Sequence, residues 1–132
     1  MRLAIVLLSA ALLGAGACTA ATARPTKLAI TFYPLGVGRS GARHYALRCE
    51  PAVGTVPRPV RACRVLSGLT HPFAAVPPGA VCSQLALGPE EAVVTGRVDG
   101  VAISTRLTVR DSCEIERWRR LAAVVPGYPG RP

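Results

Sequence analysis

Residues that perform acid–base chemistry are scarce in this sequence. Its 132 residues include two histidines and seven acidic residues, and the HExxH, CxxC and Gly-x-Ser-x-Gly patterns are absent. His44 and His71 stand apart, and neither belongs to a recognisable set of nucleophile, base and orienting group. Glu90 and Glu91 are neighbours on an extended segment, so their carboxylates point to opposite sides and are predicted to be solvated. The sequence therefore predicts no enzyme, no cofactor and no metal site.

Aromatic residues and lysine are also rare, although the chain is strongly basic. Aromatics make up 5% of the residues, and 16 basic residues against 7 acidic ones give a formal net charge of +9. Lys27 is the single lysine, and loss of Arg2 with an export segment lowers the charge to +8. The arginines are scattered except in residues 116–120, which does not favour nucleic-acid binding. We expect a solvated basic surface, with an acidic partner surface as the alternative.

No apolar run in the sequence is long enough to span a bilayer. Arg2, an apolar run over residues 3–13 and then small residues form the pattern of a signal peptide. We assign residues 1–17 to this signal peptide, with cleavage after residue 23 as the alternative, and residues 18–26 to a flexible tether. Cys18 directly follows the first cleavage site and is a candidate for lipid attachment. The domain is thus expected to be secreted and extracellular, or held at the cell surface by that lipid.

Export decides how the remaining cysteines are interpreted. Cys49, Cys63, Cys82 and Cys113 form an even set in an oxidising compartment, so two disulfides are expected and three pairings are possible. Each disulfide typically contributes about 2–4 kcal/mol to stability. A small domain needs such cross-links because its core is small.

A first β-hairpin is predicted near the start of the domain. Residues 28–33 and 45–49 are rich in strand formers, and the glycine-rich residues 36–41 connect them. The connection matches the letters of a dinucleotide-binding fingerprint, but it leads into a strand and not into a helix. We therefore interpret its glycines as turn residues with positive φ angles.

A second hairpin and a helix complete the predicted pattern. Residues 92–98 and 101–109 flank Asp99-Gly100, a strong two-residue turn signal, and the later segment alternates apolar and polar residues. Apolar residues at helical spacing between residues 60 and 69 predict a short helix that covers the sheet. These elements predict an antiparallel sheet with helical cover, which is an α+β domain.

The end of the chain gives weaker signals. Ser112 is a candidate helix cap, so a short turn or helix is expected over residues 114–121. A final edge strand is expected over residues 121–125, followed by a loose tail over residues 127–132.

The segment over residues 81–89 has no helical period, no strict alternation and, up to Pro89, no charge. It follows the turn Pro77-Pro78-Gly79 and contains Cys82. A disulfide from Cys82 would hold it as a rigid extended peptide on the surface. Proteases bind substrates in this extended shape, and a rigid peptide avoids much of the ordering cost of binding. The alternative is a plain loop anchored by a structural disulfide.

The order of several short motifs is also informative. They are YALRCEP over residues 45–51, Pro57, ACRVL over 62–66, VCSQL over 81–85, VDGV over 98–101 and DSCE over 111–114. In this order and spacing the motifs resemble the Streptomyces subtilisin inhibitor family of secreted serine-protease inhibitors. The resemblance runs from Lys27 to Cys113 and includes all four domain cysteines.

The resemblance implies a fold and an assembly. The fold would be a five-stranded antiparallel β-sheet packed against two short helices, over residues 27–126. The two disulfides would be Cys49–Cys63 and Cys82–Cys113. Two copies would pair as a homodimer through the sheet.

The resemblance also implies a reactive loop that a protease binds as it binds a substrate. Val81 would be P4, Cys82 P3, Ser83 P2, Gln84 P1, Leu85 P1′ and Ala86 P2′, with Leu87 also in the protease-binding segment. The reactive bond would be Gln84-Leu85. Ser83 stands where the family usually has proline, and Gln84 is unusual at P1. The expected function is inhibition of an extracellular subtilisin-like or trypsin-like serine protease. The alternative is a lipoprotein-type binding domain of the cell envelope that keeps the fold without inhibiting.

Overall fold

The computed structural model describes residues 16–18 and 24–130. Its elements in chain order are β1 (Thr26–Tyr33), β2 (Arg43–Cys49), β3 (Val53–Gly54), α1 (Pro59–Ser67), β4 (Glu91–Val98), β5 (Val101–Thr108) and α2 (Ser112–Leu121). Most of the predicted signal peptide and of the tether, residues 1–15 and 19–23, lies outside the described residues. None of the helices in the described part has the length and apolar character needed to cross a membrane.

The five strands form one antiparallel sheet in the order β3-β2-β1-β4-β5. The central strand β1 pairs with β2 on one side and with β4 on the other. The β4–β5 hairpin turns at Asp99 and Gly100, whose φ angles are 49° and 80°. Positive φ at both central residues is what a two-residue hairpin turn requires. The predicted hairpins and the α+β fold are therefore confirmed.

One face of the sheet is buried under the two helices. Along β1, buried Leu28 and Ile30 alternate with exposed Lys27 and Ala29, because successive side chains of a strand point to opposite faces. The helices contribute Ala62 and Leu66 from α1 and Trp118 and Leu121 from α2 to the same core. The other face of the sheet carries no helix in the described structure, and we call it the outer face.

Helix α1 lies where the apolar spacing predicts it. It begins with Pro59, whose missing N–H is tolerated in a first turn, and Gly68 follows its last residue. Cys63 of α1 is bonded to Cys49 of β2, with 5.7 Å between the Cα atoms. The second disulfide joins Cys82 to Cys113. These are the two pairings that the resemblance implies.

The C-terminal region differs from expectation in two ways. The cap of α2 is Asp111 and not Ser112, because the Asp111 carboxylate accepts hydrogen bonds from the N–H groups of Cys113 and Glu114. Leu121 ends α2 and residues 122–125 form turns, so the edge strand expected over residues 121–125 is not present. The N–H groups of Val124 and Val125 both donate to the carbonyl of Leu121, at 2.8 Å, which folds the segment back on the helix.

The aromatic side chain of Trp118 explains why the chain end packs inward. Its indole N–H donates to the carbonyl of Val125 at 3.1 Å, and Tyr128 packs against its ring with 6.3 Å between centroids. Gly127 lies so close to Phe32 that a Cβ there would meet the ring at 2.3 Å. Gly127 and Tyr128, the first residues of the expected tail, are thus packed on the core, and residues 131–132 lie outside the described residues.

Candidate functional site

The segment of residues 81–89 crosses the surface between the turn at residues 77–80 and β4, without forming helix or strand. Its apolar side chains are exposed: Val81 by 99%, Leu85 by 59% and Leu87 by 44%. Apolar side chains in a contiguous exposed segment mark an interaction site, because burying them under a partner lowers the free energy of the system. Gln84 and Ala86 are also exposed. We call residues 81–87 the exposed loop.

Ser112 holds one end of the exposed loop. The Ser83 N–H donates to the Ser112 hydroxyl oxygen at 2.9 Å, and the Ser83 carbonyl accepts from the Ser112 N–H at 3.0 Å. Both backbone polar groups of Ser83 are therefore bonded to one residue. Cys82, next to Ser83, forms a disulfide with Cys113, next to Ser112, with 5.4 Å between the Cα atoms. This disulfide reinforces the attachment covalently.

A second attachment holds the other end. The Leu87 N–H donates to the carbonyl of Val109, at 3.0 Å, and the Val109 side chain is fully buried in the core. Between the two attachments, Gln84, Leu85 and Ala86 form no hydrogen bond within the part of the chain that the structure describes. The exposed loop is thus fastened on both sides of Gln84-Leu85, while the backbone groups around that bond are available to a partner.

Both attachments come from residues 109–112, which are the short junction after β5 and the first residue of α2. Asp111 fixes this junction, because its carboxylate accepts the free N–H groups of the first turn of α2 at 2.9 and 3.0 Å. Its carbonyl also accepts the first helical hydrogen bond, from Ile115. This cap stabilises the start of α2, so both loop ends are bonded to a segment that is itself held by hydrogen bonds.

Arg117 of α2 holds the chain that leads into the exposed loop. It is 5% exposed, and its guanidinium donates to the carbonyls of Phe73, Ala74 and Arg106 at 3.2, 2.8 and 2.9 Å. It also donates to the Thr105 hydroxyl. Sequence reasoning missed this role, because Arg117 lies in the run of charges over residues 116–120. One signal was present: Arg117 stands directly beside Trp118, on the side of α2 that faces the core.

Glu91 corrects a second prediction, that both glutamates after the loop are solvated. Glu91 is 3% exposed, and its carboxylate accepts hydrogen bonds from Arg106 and Arg110. Burial by itself would raise the pKa of Glu91, but hydrogen bonding and charge attraction from Arg106, with smaller contributions from the Val37 backbone and Arg110, hold that pKa below its ordinary value. The ion pairs fasten the start of β4 to β5, directly after the loop.

Glu90 has a different position from the one predicted. Its carboxylate folds back over Gly88, where an added Cβ would lie 2.1 Å from the Glu90 Oε2 atom. A Cβ at residue 88 would therefore displace the flexible end of the Glu90 side chain. The Glu90 side chain is half-buried and packs on the exit from the exposed loop.

The other sequence candidates do not assemble with the loop. His44 contacts the Thr31 hydroxyl at 3.2 Å on the sheet, and His71 is exposed in a turn. Cys82, Asp111 and Cys113 lie close together, but the two sulfur atoms are bonded to each other and are not free to bind a metal ion. Cys18 is exposed and is not in a disulfide.

Comparisons with known proteins find similarity among solved structures and not among sequences. No protein-family model matches the chain, and no curated protein sequence matches it. Among solved structures, the chain is similar to one in the crystal structure of Streptomyces caespitosus sermetstatin in complex with Bacillus licheniformis subtilisin. The identity is 24%, the match covers 74% of this chain and 96% of the other, and the TM-score is 0.46. A likeness of this size carries no functional argument, so the proposal below rests on this chain's own geometry and motifs.

Proposed function

We propose that this protein is an exported inhibitor of serine proteases, with Gln84-Leu85 as its reactive bond. The observation that carries the proposal is the position of this bond, exposed between two attachments to one junction. The sequence motifs that resemble the Streptomyces subtilisin inhibitor family support it, because they place the reactive bond at the same two residues. The target would be an extracellular subtilisin-like or trypsin-like enzyme.

The exposed loop suits the way in which proteases bind peptides. A protease pairs the backbone of an extended substrate with its own strand edge and accepts alternate side chains in pockets. The backbone groups of Gln84, Leu85 and Ala86 are available for such pairing. Because both loop ends are already held, binding orders fewer residues and loses less free energy to conformational entropy. Tight binding then follows without many additional contacts.

The two attachments also explain how cleavage is resisted. The protease serine attacks the carbonyl carbon of Gln84, and the bond to the Leu85 nitrogen breaks. The new amine stays close, because Leu87 remains bonded to Val109, while the Gln84 side is held by Ser83 and the disulfide. A held amine has a high effective concentration, so it attacks the acyl group faster than water does and the peptide bond forms again.

Gln84 is expected to determine which protease is inhibited, since the P1 side chain fills the primary pocket at the centre of the interface. A central residue of this kind contributes about 2 kcal/mol or more, which is roughly a 30-fold change in the inhibition constant. Gln84→Lys should gain inhibition of trypsin, Gln84→Leu should improve inhibition of subtilisin, and Gln84→Pro should abolish both. A suitable control is Val101→Lys, since Val101 is 62% exposed at the opposite end of β5.

The assay is a set of inhibition constants, with mass spectrometry of the cut after long incubation. Inhibition that is insensitive to Gln84, or a cut outside residues 81–87, would show that the reactive bond is misplaced. If no variant inhibits any serine protease, the binding domain of the cell envelope replaces this proposal. Localisation is tested with Cys18→Ala, which should move the protein from the membrane fraction to the medium if Cys18 carries a lipid.

A further inference from the structure

Three cations stand in a row on the outer face of the sheet. Lys27 of β1 is directly opposite Arg48 of β2 on one side and Arg97 of β4 on the other. All three are exposed. Side chains directly opposite each other in an antiparallel pair have Cβ atoms about 4.5–5.5 Å apart, where like charges destabilise the sheet. We call these three residues the cationic row.

The charges of the cationic row are not neutralised within the described residues. The ion pairs found there involve Arg106, Arg110, Arg117 and Arg119, and none involves a member of the row. Arg97 donates to the carbonyl of Gly100 at 2.8 Å, which keeps its guanidinium near the β4–β5 turn. Asp99 lies in this turn but is engaged with Thr26, whose hydroxyl contacts both its backbone N–H and its carboxylate.

The surface beside the cationic row carries small side chains. The next row along the strands contains Ala46, Ala29, Thr95 and Ser104, all exposed. Lys27 and Arg97 border an open, mostly apolar depression that Ala29, Ala46 and Thr95 line. This surface can lie against an extended planar partner of opposite charge.

The position of the chain entry identifies which partner is within reach. Pro25, just before β1, accepts a hydrogen bond from the Gly100 N–H at 3.2 Å, so the chain enters the domain at the end of the sheet that carries the cationic row. Cys18, the candidate for lipid attachment, is nine residues before Lys27. Nine residues span at most about 30 Å, so a membrane at Cys18 lies within reach of the row.

We propose that the cationic row binds the anionic headgroups of a membrane surface and orients the domain on it. Seven residues of extended chain separate Ala102, beside the row, from Val109, which holds the exposed loop. This is about 24 Å along β5. The exposed loop is therefore carried at the opposite end of the sheet from the bound membrane.

The resemblance to the inhibitor family predicts a different occupant for this face, a second copy of the chain. A second copy of the chain carries the same strongly positive net charge, formally +9 over the full sequence, which opposes its approach to this face. Anionic headgroups are complementary to the row, and a second copy is not. For this reason we favour the membrane, and the experiment below distinguishes the two.

The test measures binding of the exported Cys18→Ser protein to sedimented vesicles, so that no attached lipid contributes. The vesicles contain phosphatidylcholine with about one third phosphatidylglycerol, or phosphatidylcholine alone. Each cation near an anionic surface strengthens binding by a factor of about five, so replacing Lys27, Arg48 and Arg97 by Gln should weaken it by about 100-fold. The matched control replaces the exposed Arg39, Arg61 and Arg120 by Gln, with the same change in net charge.

The expected result is salt-sensitive binding to the anionic vesicles that the row variant loses and the control variant retains. The row variant should also unfold at a higher temperature than the unaltered protein, because repulsion within the row is relieved. Equal binding to both vesicle types, or an equal loss in the control, would overturn the proposal. So would a dimer in sedimentation velocity that the row variant dissociates, since the face would then belong to a second copy. None of these readouts depends on protease inhibition, so they remain informative if the exposed loop inhibits nothing.

Discussion

The hydrogen bonds between Ser83 and Ser112 are expected to contribute to inhibition, because they hold one end of the exposed loop. In most members of the family that the sequence resembles, proline at this position would restrict one φ angle, and this chain has Ser83 instead. Ser83 has an N–H that proline lacks, and that N–H donates to the Ser112 hydroxyl at 2.9 Å. We infer that Ser112 supplies the rigidity that proline would otherwise give.

The magnitude follows from the exposure of the contact. Ser112→Ala removes the hydroxyl acceptor but keeps the second bond, from the Ser112 N–H to the Ser83 carbonyl. Because Ser83 is exposed, its N–H can bond to water, so the loss is the net value of one hydrogen bond, about 1 kcal/mol. This predicts a rise in the inhibition constant of about fivefold. The free energy of unfolding should fall by no more than about 1 kcal/mol, because the disulfide and the Asp111 cap remain.

A double-mutant cycle with Ser83→Pro separates this mechanism from a general disturbance. In the Ser83→Pro background there is no N–H for Ser112 to accept, so Ser112→Ala should have no further effect on the inhibition constant. Ser104→Ala, an exposed serine on β5 far from the loop, is the control. The reasoning is refuted if Ser112→Ala leaves inhibition unchanged, or if its effect is equally large in both backgrounds.

Three further predictions concern the support of the loop. The pKa of Glu91 is depressed in the folded state, so its ionised carboxylate stabilises the fold above the ordinary glutamate pKa of about 4.3, and this stabilisation is lost as the pH falls through the lower folded value. The melting temperature should therefore fall with pH across this range, and Glu91→Gln should abolish that dependence. The same pH dependence in the variant and the unaltered protein would contradict the ion pair. Arg117→Met should lower the free energy of unfolding by about 2 kcal/mol or more, because the carbonyls of Phe73, Ala74 and Arg106 lose their donor. The control Arg120→Met, at an exposed position, should change that free energy by less than about 0.5 kcal/mol; denaturant titrations measure both. Thiol titration of the denatured, unreduced domain should find no free thiol between residues 49 and 113, and two or more would exclude the disulfide pairs.

The sequence alone was sufficient for the elements whose signals are local. The alternation of β5 and the Asp99-Gly100 turn predicted a hairpin, because side-chain period and positive φ angles depend on neighbouring residues only. The apolar spacing between residues 60 and 69 likewise predicted a short helix, and α1 covers Pro59–Ser67. The order of the motifs, through the resemblance to the inhibitor family, supplied the disulfide pairing and the expected reactive bond. The spacing of the four cysteines alone left three pairings open.

Tertiary structure decided the features that depend on residues distant in the chain. Val124 and Val125 favour a strand by intrinsic preference, but the bond from Trp118 to Val125 and burial in the core fold them into a turn. The sequence predicts a solvated Glu91, but the pairing of β4 with β5 places Arg106 beside its carboxylate. Arg117 lies in a run of charged residues, but in the fold its guanidinium donates to the carbonyls of Phe73 and Ala74. A buried charge is stable only with its partners in place, and apart from Glu114, three residues before Arg117, those partners lie 11 to 44 residues away. No pattern of neighbouring residues contains that information, because it exists only after the chain has folded.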